Sequence, residues 1–568
     1  MDKFLKKLSE NKIVFWICFG LIILLAIGLR LSVINFALWY DEGCSIATAI
    51  NSFPSGINEY LWSHDLQHTP LYFYILHFIM QIFGDNELVL RVSSLIVSLV
   101  SLPVTYIVTK KLSSSDKIGL VGMLFMSVNT FQVLYSIEIR MYPYVILLSL
   151  LAINYLIDYD KNGDTKSLIK LSIANILNPY FLTGSIVFVL AQIIVYSIYL
   201  DLKKSEPKKI NNYIKSNIIT AICLIPYFII VGHYAIVRSN FLVTDLSEFS
   251  IINFWGLLQN LFCANAGHIH ETRFENFSQS WDTICLVFLP LGIMFAGLWN
   301  ALKDKEKLNS VVLGIISLCF IIFVSLANAK IIAFTGRYLI FISPFLFILT
   351  AIGLSKLNKY LYLFLILLYT ILCCIGLSRT YNTYQRIAYF SLKAPAEYVK
   401  KNYMGKDNLV IMPFASSVSF YYFKDKNMPK VLPLELFNEV RNPDNENFYN
   451  AEQRNSFKNG DKYKTFQKII TGNGFISENF VKYIKSNLDK VPRGAYVIWV
   501  VYYSDNYAIQ KPEIVKQVFS NIDAVKSNTM TGMLSKFDND LIVLLSSQFN
   551  FIKRERDDSN SYFVFKKR

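Results

Sequence analysis

Apolar residues run along the first two-thirds of this chain in long blocks separated by short lysine-rich stretches. Blocks of roughly 17–22 residues are long enough to cross a hydrocarbon core of about 30 Å as helices. The pattern predicts helices over approximately Ile13–Ile34, Leu88–Val108, Ile118–Tyr135 and Tyr142–Leu156, then a broken pair across Leu168–Leu200 and a helix at Ile218–Ile236. Four more follow at Ile284–Leu302, Val311–Ala327, Tyr338–Leu354 and Tyr360–Leu377. The pair is interrupted at Asn178-Pro179, and its length fits a short hairpin better than one kinked helix. Leu71–Phe83 is too short to span and carries His77 and Gln81, which suits an interfacial or re-entrant helix. The expected architecture is an α-helical polytopic membrane protein with about eleven spans plus external juxtamembrane helices.

The lysines orient it. With Leu71–Phe83 kept outside, the loops carrying Lys110, Lys111 and Lys117, then Lys203, Lys204, Lys208 and Lys209, then Lys303, Lys305 and Lys307, then Lys356 and Lys359 all fall on one side. The translocation bias makes that side cytoplasmic, and counting the short segment as a span would turn every one of these loops outward. Residues 1–377 then form the membrane domain, with external loops at 35–86 and 237–283, and residues 378–568 form a second, extracytoplasmic domain. In that tail, Ala394–Lys401 reads as a helix and Asn408–Pro413, Ala495–Tyr503 and Tyr562–Phe565 as strands, which predicts an α/β or α+β domain. Asn442–Lys464, rich in Asn, Asp, Glu and Lys, reads as a surface loop.

Composition agrees: 53% of residues are hydrophobic and 17% charged, far from soluble averages. The net charge of +15 does not call for nucleic acid, because many of the lysines are spent on topology. Cys18, Cys223, Cys285, Cys319, Cys373 and Cys374 lie in apolar stretches without zinc or disulfide spacing and read as packing residues. The first apolar run lacks a small-residue cleavage pattern and reads as an anchored helix. No Gly-rich phosphate loop, dinucleotide fingerprint or repeat period is present.

Candidate chemistry gathers at the external ends of the first spans. Trp39-Tyr40 precede the adjacent carboxylates Asp41 and Glu42, His64-Asp65 and His68-Thr69-Pro70 follow, and Glu138-Ile139-Arg140-Met141-Tyr142 comes next. Aromatic residues before polar ones also describe an ordinary membrane interface. A carboxylate here has a more specific use, to take a proton from an acceptor hydroxyl or amine while a second one orients it or holds a divalent ion; Asp41 and Glu138 are the metal candidates. Arg140, Arg337 and Lys330 are outward cations suited to a donor phosphate, although Arg337 is equally placed as an interface anchor. His64, His68, Tyr142 and Tyr338 are candidates to line a substrate cavity. His268 and His270 resemble a fragment of a metal site, without a third ligand.

Taken in order, Trp39-Tyr40-Asp41-Glu42-Gly43, His68-Thr69-Pro70-Leu71-Tyr72, Phe83-Gly84-Asp85-Asn86-Glu87, Leu90-Arg91, Glu138–Tyr142, Asn178-Pro179-Tyr180 and Arg337-Tyr338-Leu339 before Pro344 resemble the GT-C class of integral membrane glycosyltransferases. The similarity is to the family that groups protein O-mannosyltransferases with the bacterial lipid A aminoarabinose transferase, and it ends near Leu377. The resemblance implies a polyprenyl-phosphate sugar donor, inverting transfer at the extracytoplasmic face of the plasma membrane, and a first-loop acidic residue as general base. That role falls on Asp41, with Glu42 beside it, Glu138 as the second acidic position and Arg337 as a ligand of the donor phosphate. Many relatives have two prolines where this chain has Thr69-Pro70, and a His-Tyr pair where it has Asn178-Pro179-Tyr180.

The expected function is transfer of a sugar to an extracytoplasmic acceptor, be it a cell-envelope glycan, a lipid or a protein. Two other readings use the same external cavity: a lipid or polysaccharide transporter, which needs charged residues along a path through the membrane, and a non-catalytic glycan-binding assembly protein.

Overall fold

The computed structural model describes residues 12–64, 68–238, 281–303, 307–328, 336–388, 393–414, 417–435, 478–502, 536–557 and 560–568. These pack as two units. Most of the helices form one, and Phe36–Ala47 together with the chain from Gln385 onward forms the other.

Among the described residues, seven helices are long and apolar enough to cross a membrane, or eight if the bent pair Pro207–Cys223 and Ile225–His233, which meet at 45°, is one span. Lys12–Leu31 shows what such a helix does with its surface: Ile13, Trp16, Leu21 and Leu24 are exposed, as lipid-facing side chains are, while Ala26 and Arg30 are buried. The chain is a multi-pass membrane protein with an extracytoplasmic C-terminal α/β domain. Leu71–Phe83 is a separate short helix, as its length predicts.

Local side chains set many of the boundaries. The Asn86 side chain accepts the Leu88 N–H at 2.9 Å and opens Glu87–Ser113, and Asp164 accepts the Ser167 N–H at 2.8 Å and opens Thr165–Phe181. Asn129 does the same for Gln132 at 3.1 Å, so the single helix expected over Ile118–Tyr135 is divided into Asp116–Val128 and Thr130–Tyr135. Pro179 does not break its helix where the sequence places the interruption. It lies in the last turn of Thr165–Phe181, and the break comes at Leu182, followed by a 3₁₀ turn at Thr183–Ser185.

The loops that the lysine pattern puts on one side meet at one end of the bundle. Lys111 pairs with Asp158 at 2.6 Å, and Lys203 and Lys209 both reach Asp160 at 3.2 Å, so three loops assigned to one side share one end of the bundle. Arg30, fully buried at the end of the first helix, donates to the Ser98 hydroxyl at 3.3 Å and to the Ser127 carbonyl at 3.0 Å. Arg91 donates to the Ile34 carbonyl at 2.9 Å. An intramembrane guanidinium is tolerated only when bonded in this way, and these two tie the first helix to the next two.

Trp281–Leu302 and Ser343–Leu354 approach through glycines. A Cβ on Gly353 would stand 1.8 Å from the Gly297 carbonyl oxygen and 2.7 Å from the Ala301 nitrogen, both backbone atoms that cannot rotate away. Gly353→Ala is therefore expected to destabilise the bundle by about 1–3 kcal/mol, read as a lower melting temperature of the detergent-solubilised protein. An unchanged melting temperature would show that these helices are not in contact at this depth.

Among the described residues of the outer domain, five strands, β1 (Leu409–Phe414), β2 (Lys430–Glu435), β3 (Tyr496–Tyr502), β4 (Phe549–Arg556) and β5 (Asn560–Lys567), form one sheet in the order β2-β1-β3-β5-β4. β1 runs parallel to β2 and β3, while β5 is antiparallel to both β3 and β4. Alternate residues feed two cores. Ile411, Val497, Trp499 and Phe563 pack with Ile484 and Leu488 of Glu478–Asp489 and with Leu541 and Leu545 of Lys536–Gln548. Val410, Ile498, Val500 and Val564 pack with Ala396 and Val399 of Ala394–Asn402. Helices therefore cover both faces, which resolves the expected α/β or α+β domain as a three-layer α/β arrangement. The loop expected at Asn442–Lys464 lies outside the described residues.

Candidate functional site

Two groups of the candidate residues are built by different parts of the chain. In the membrane unit the turn after Thr130–Tyr135 carries Glu138 and Arg140, both buried, and the Arg140 N–H closes on the Glu138 carbonyl at 2.7 Å. Arg140 Nη2 lies 2.9 Å from His68 Nε2. A guanidinium only donates, so Nε2 accepts and the imidazole proton belongs on Nδ1. His68 is buried as well, and the contact joins the second and third external motifs directly.

The next residue extends the joint. The Thr69 hydroxyl donates to the Tyr180 carbonyl at 2.6 Å and lies 3.3 Å from that of Pro179. Both carbonyls are in the last turn of Thr165–Phe181, where no intrahelical donor is available. The segments Thr69-Pro70 and Asn178-Pro179-Tyr180 thus meet, and a proline in the place of Thr69 could not make the bond. Asn178, one residue earlier, donates to the Ser149 hydroxyl at 2.9 Å.

Tyr142 opens the helix Tyr142–Asn162, is buried, and packs edge-on against Tyr135 with ring centroids 4.9 Å apart. Arg337 and Tyr338, both half-buried, open the 3₁₀ helix Gly336–Ile342, which packs against Tyr142–Asn162. The Arg337 guanidinium lies over the Tyr338 ring at 5.5 Å. His64 ends the helix Ser55–His64. Its side chain, and Asp65, Lys330, His268 and His270, lie outside the described residues.

The Asp41-Glu42 pair is built by the other unit. Both stand in the first turn of Tyr40–Ala49, at the end of a helix that favours negative charge. Glu42 is buried and its Oε2 accepts the Trp39 N–H at 3.0 Å, the carboxylate half of a capping box. Asp41 is half-buried, and its backbone carbonyl accepts the Ser45 hydroxyl at 3.1 Å. The two neighbours are therefore not equivalent: Glu42 is committed to holding the turn.

Sequence reasoning missed a cavity of about 260 Å³ in the membrane unit, lined by Asn58, Leu61, Trp62, His68, Tyr74 and His233 among others. Trp62 and His233 stack face to face, with centroids 3.7 Å apart and planes 10° from parallel, and the Tyr74 hydroxyl is bonded to Asn58. Its wall is mostly hydrocarbon and aromatic, with the His68 imidazole as a polar point. The available signal was the presence of Trp62 and His233 in segments at the external surface, but nothing in their spacing pairs them. Among the described residues no group of three or more His, Cys, Asp or Glu side chains is placed to hold a metal ion.

Residues 67–230 match the family model described as dolichyl-phosphate-mannose-protein mannosyltransferase. Among solved structures, the chain is similar to ArnT from Cupriavidus metallidurans bound to undecaprenyl phosphate, with a TM-score of 0.53 and 10% identity over 96% of this chain and 97% of that one. It is similar to the same protein in the apo state with a TM-score of 0.51 and 11% identity over 98% of each chain. No curated protein sequence matches it. At such identity the likeness is one of fold, and it extends from end to end.

Proposed function

We propose that this chain, which has the fold of the GT-C membrane glycosyltransferases, transfers a sugar from a polyprenyl-phosphate donor to an extracytoplasmic acceptor at the plasma membrane. The observation that carries the reading is likeness over nearly the whole length of both chains to a protein crystallised with undecaprenyl phosphate. The matched family model for residues 67–230, which contain the His68–Arg140 contact, points to the same donor class.

In the proposed reaction Asp41 is the general base. An acceptor O–H or N–H gives its proton to the Asp41 carboxylate as the acceptor atom bonds to the sugar C1 from the face opposite the phosphate. The C1–O bond breaks, its electron pair leaves with the polyprenyl phosphate, and the configuration inverts. The leaving phosphate gains negative charge, and Arg140, Arg337 and Lys330 are assigned to stabilise it, since fixed cations act most strongly where charge develops. Glu138 is assigned to orient the acceptor and Glu42 to hold the Asp41 turn. His64, His68, Tyr142 and Tyr338 are assigned to substrate contact. A divalent ion, if the reaction uses one, would draw on Asp41 or Glu138.

The proposed topology has eleven spans, with residues 1–377 as the membrane domain and 378–568 outside. Purified protein incubated with a panel of polyprenyl-phosphate sugars should give a product heavier than the acceptor by one glycosyl unit, detected by mass. Failure to consume any such donor would turn the reading toward a transporter or a glycan-binding assembly protein. A chelator added to the same assay decides whether a metal participates.

A further inference from the structure

We infer that the outer-domain helix Ser417–Tyr422 positions the first-loop carboxylates, with Tyr422 as the positioning residue. Its hydroxyl accepts the Leu38 N–H at 2.8 Å, a bond between residues 384 apart in sequence. Leu38 is fully buried and stands just ahead of Tyr40–Ala49, where backbone N–H groups have no partner within the helix. Two successive amides are thus held from different directions. Trp39 N–H is taken by Glu42 from within the turn, and Leu38 N–H by Tyr422 from the far end of the sequence.

A second contact on the same helix leaves little room for movement. A Cβ on Gly43 would lie 2.4 Å from Val418 Cγ2, 2.6 Å from the Val418 nitrogen and 2.9 Å from its Cα. Glycine at position 43 lets the backbone of the outer-domain helix come this close. Asp41 therefore stands between a residue bonded to Tyr422 and a residue pressed on Val418. The Lys393 ammonium lies 5.7 Å from the centre of the Tyr422 ring and gives that ring a further partner.

The outer domain is on this reading part of the catalytic apparatus. It sets the angle at which the Asp41 turn is presented, whatever it binds elsewhere. The inference deepens the assignment of Asp41 as base and rests on it for its catalytic consequence.

The test is Tyr422→Phe in the full-length protein, which removes one oxygen and keeps the ring. Hydrogen exchange across residues 36–47 should quicken. Turnover should fall about tenfold with the KM for the donor unchanged, since a small misplacement of a reacting group acts on kcat. Tyr422→Gln, which returns an acceptor oxygen, should recover part of the loss, and Tyr421→Phe should change neither quantity. Unchanged exchange in Tyr422→Phe, or faster exchange with unchanged turnover, overturns the inference. Gly43→Ala gives a second variant, with a larger kcat loss expected from the Val418 clash. Asp41→Asn tests the base separately: wild-type turnover there removes Asp41 from catalysis and leaves the exchange result standing.

Discussion

Asp41→Asn is expected to lower sugar transfer by about 10²- to 10⁴-fold while membrane insertion and yield stay as in the wild type, the range over which a positioned general base contributes. Asparagine keeps the size of the side chain and removes its ability to take a proton. The cap of the turn is kept, because Ser45 still holds the backbone carbonyl of residue 41 and Glu42 still holds the Trp39 amide. Glu42→Gln is the informative partner. Its amide oxygen can still accept the Trp39 N–H, so its loss should be far smaller, below about tenfold by comparison with that range. Mass detection of the product formed from a polyprenyl-phosphate sugar measures both. Equal losses for the two variants would mean that the carboxylates act as a pair and would overturn the assignment of a single base.

Arg140→Gln should cost about 10²- to 10³-fold in turnover, the effect of removing one fixed donor from developing negative charge. Arg140→Lys should fall between it and the wild type, because lysine restores the charge without the planar fork that grips two oxygens. The side chain also has a structural duty that must be measured apart. It is buried against His68, and removing the donor leaves Nε2 of that imidazole without it, at a cost of about 1–3 kcal/mol. Melting temperature in detergent reports that cost. A folded Arg140→Gln protein with full turnover would take the donor phosphate away from this residue.

The outer domain illustrates what was legible in the sequence. β1 and β3 are the central strands and read as nearly continuous apolar runs, Leu409–Phe414 and Tyr496–Tyr502, because a strand covered on both faces has no polar side to show. β5 also emerged, as Tyr562–Phe565, the apolar middle of Asn560–Lys567. The two edge strands did not. β2 contains Pro433 and β4 contains Lys553, Arg554, Glu555 and Arg556, which is how edges avoid pairing with other chains and also how they avoid looking like strands. In β4, Glu555 is held below the usual carboxylate range by its hydrogen bonds from Lys553 first and Tyr398 second.

The candidate residues divide in the same way. His68 and Arg140 could be named from composition and place, but their contact at 2.9 Å could not. Arg30 lies inside an apolar block whose hydropathy a single charge does not interrupt, although it bonds two other helices. Proline removes a backbone donor and so predicts an interruption at Pro179, yet the helix runs through it to Phe181 and the break falls at Leu182.

By itself the sequence determined the membrane class, the extracytoplasmic α/β tail and the short separate helix Leu71–Phe83. All of these depend on sums over neighbouring residues: run length against bilayer thickness, and charge per loop. Tertiary structure alone decided which of the paired carboxylates is committed to the helix cap, that Thr69 answers the orphan carbonyls of Pro179 and Tyr180, and that Tyr422 reaches the amide of Leu38. Each of those is a directional contact of 2.6–3.3 Å, and in the last the partners are hundreds of residues apart. Hydropathy is additive along the chain, whereas a hydrogen bond depends on where the folded chain places two particular atoms.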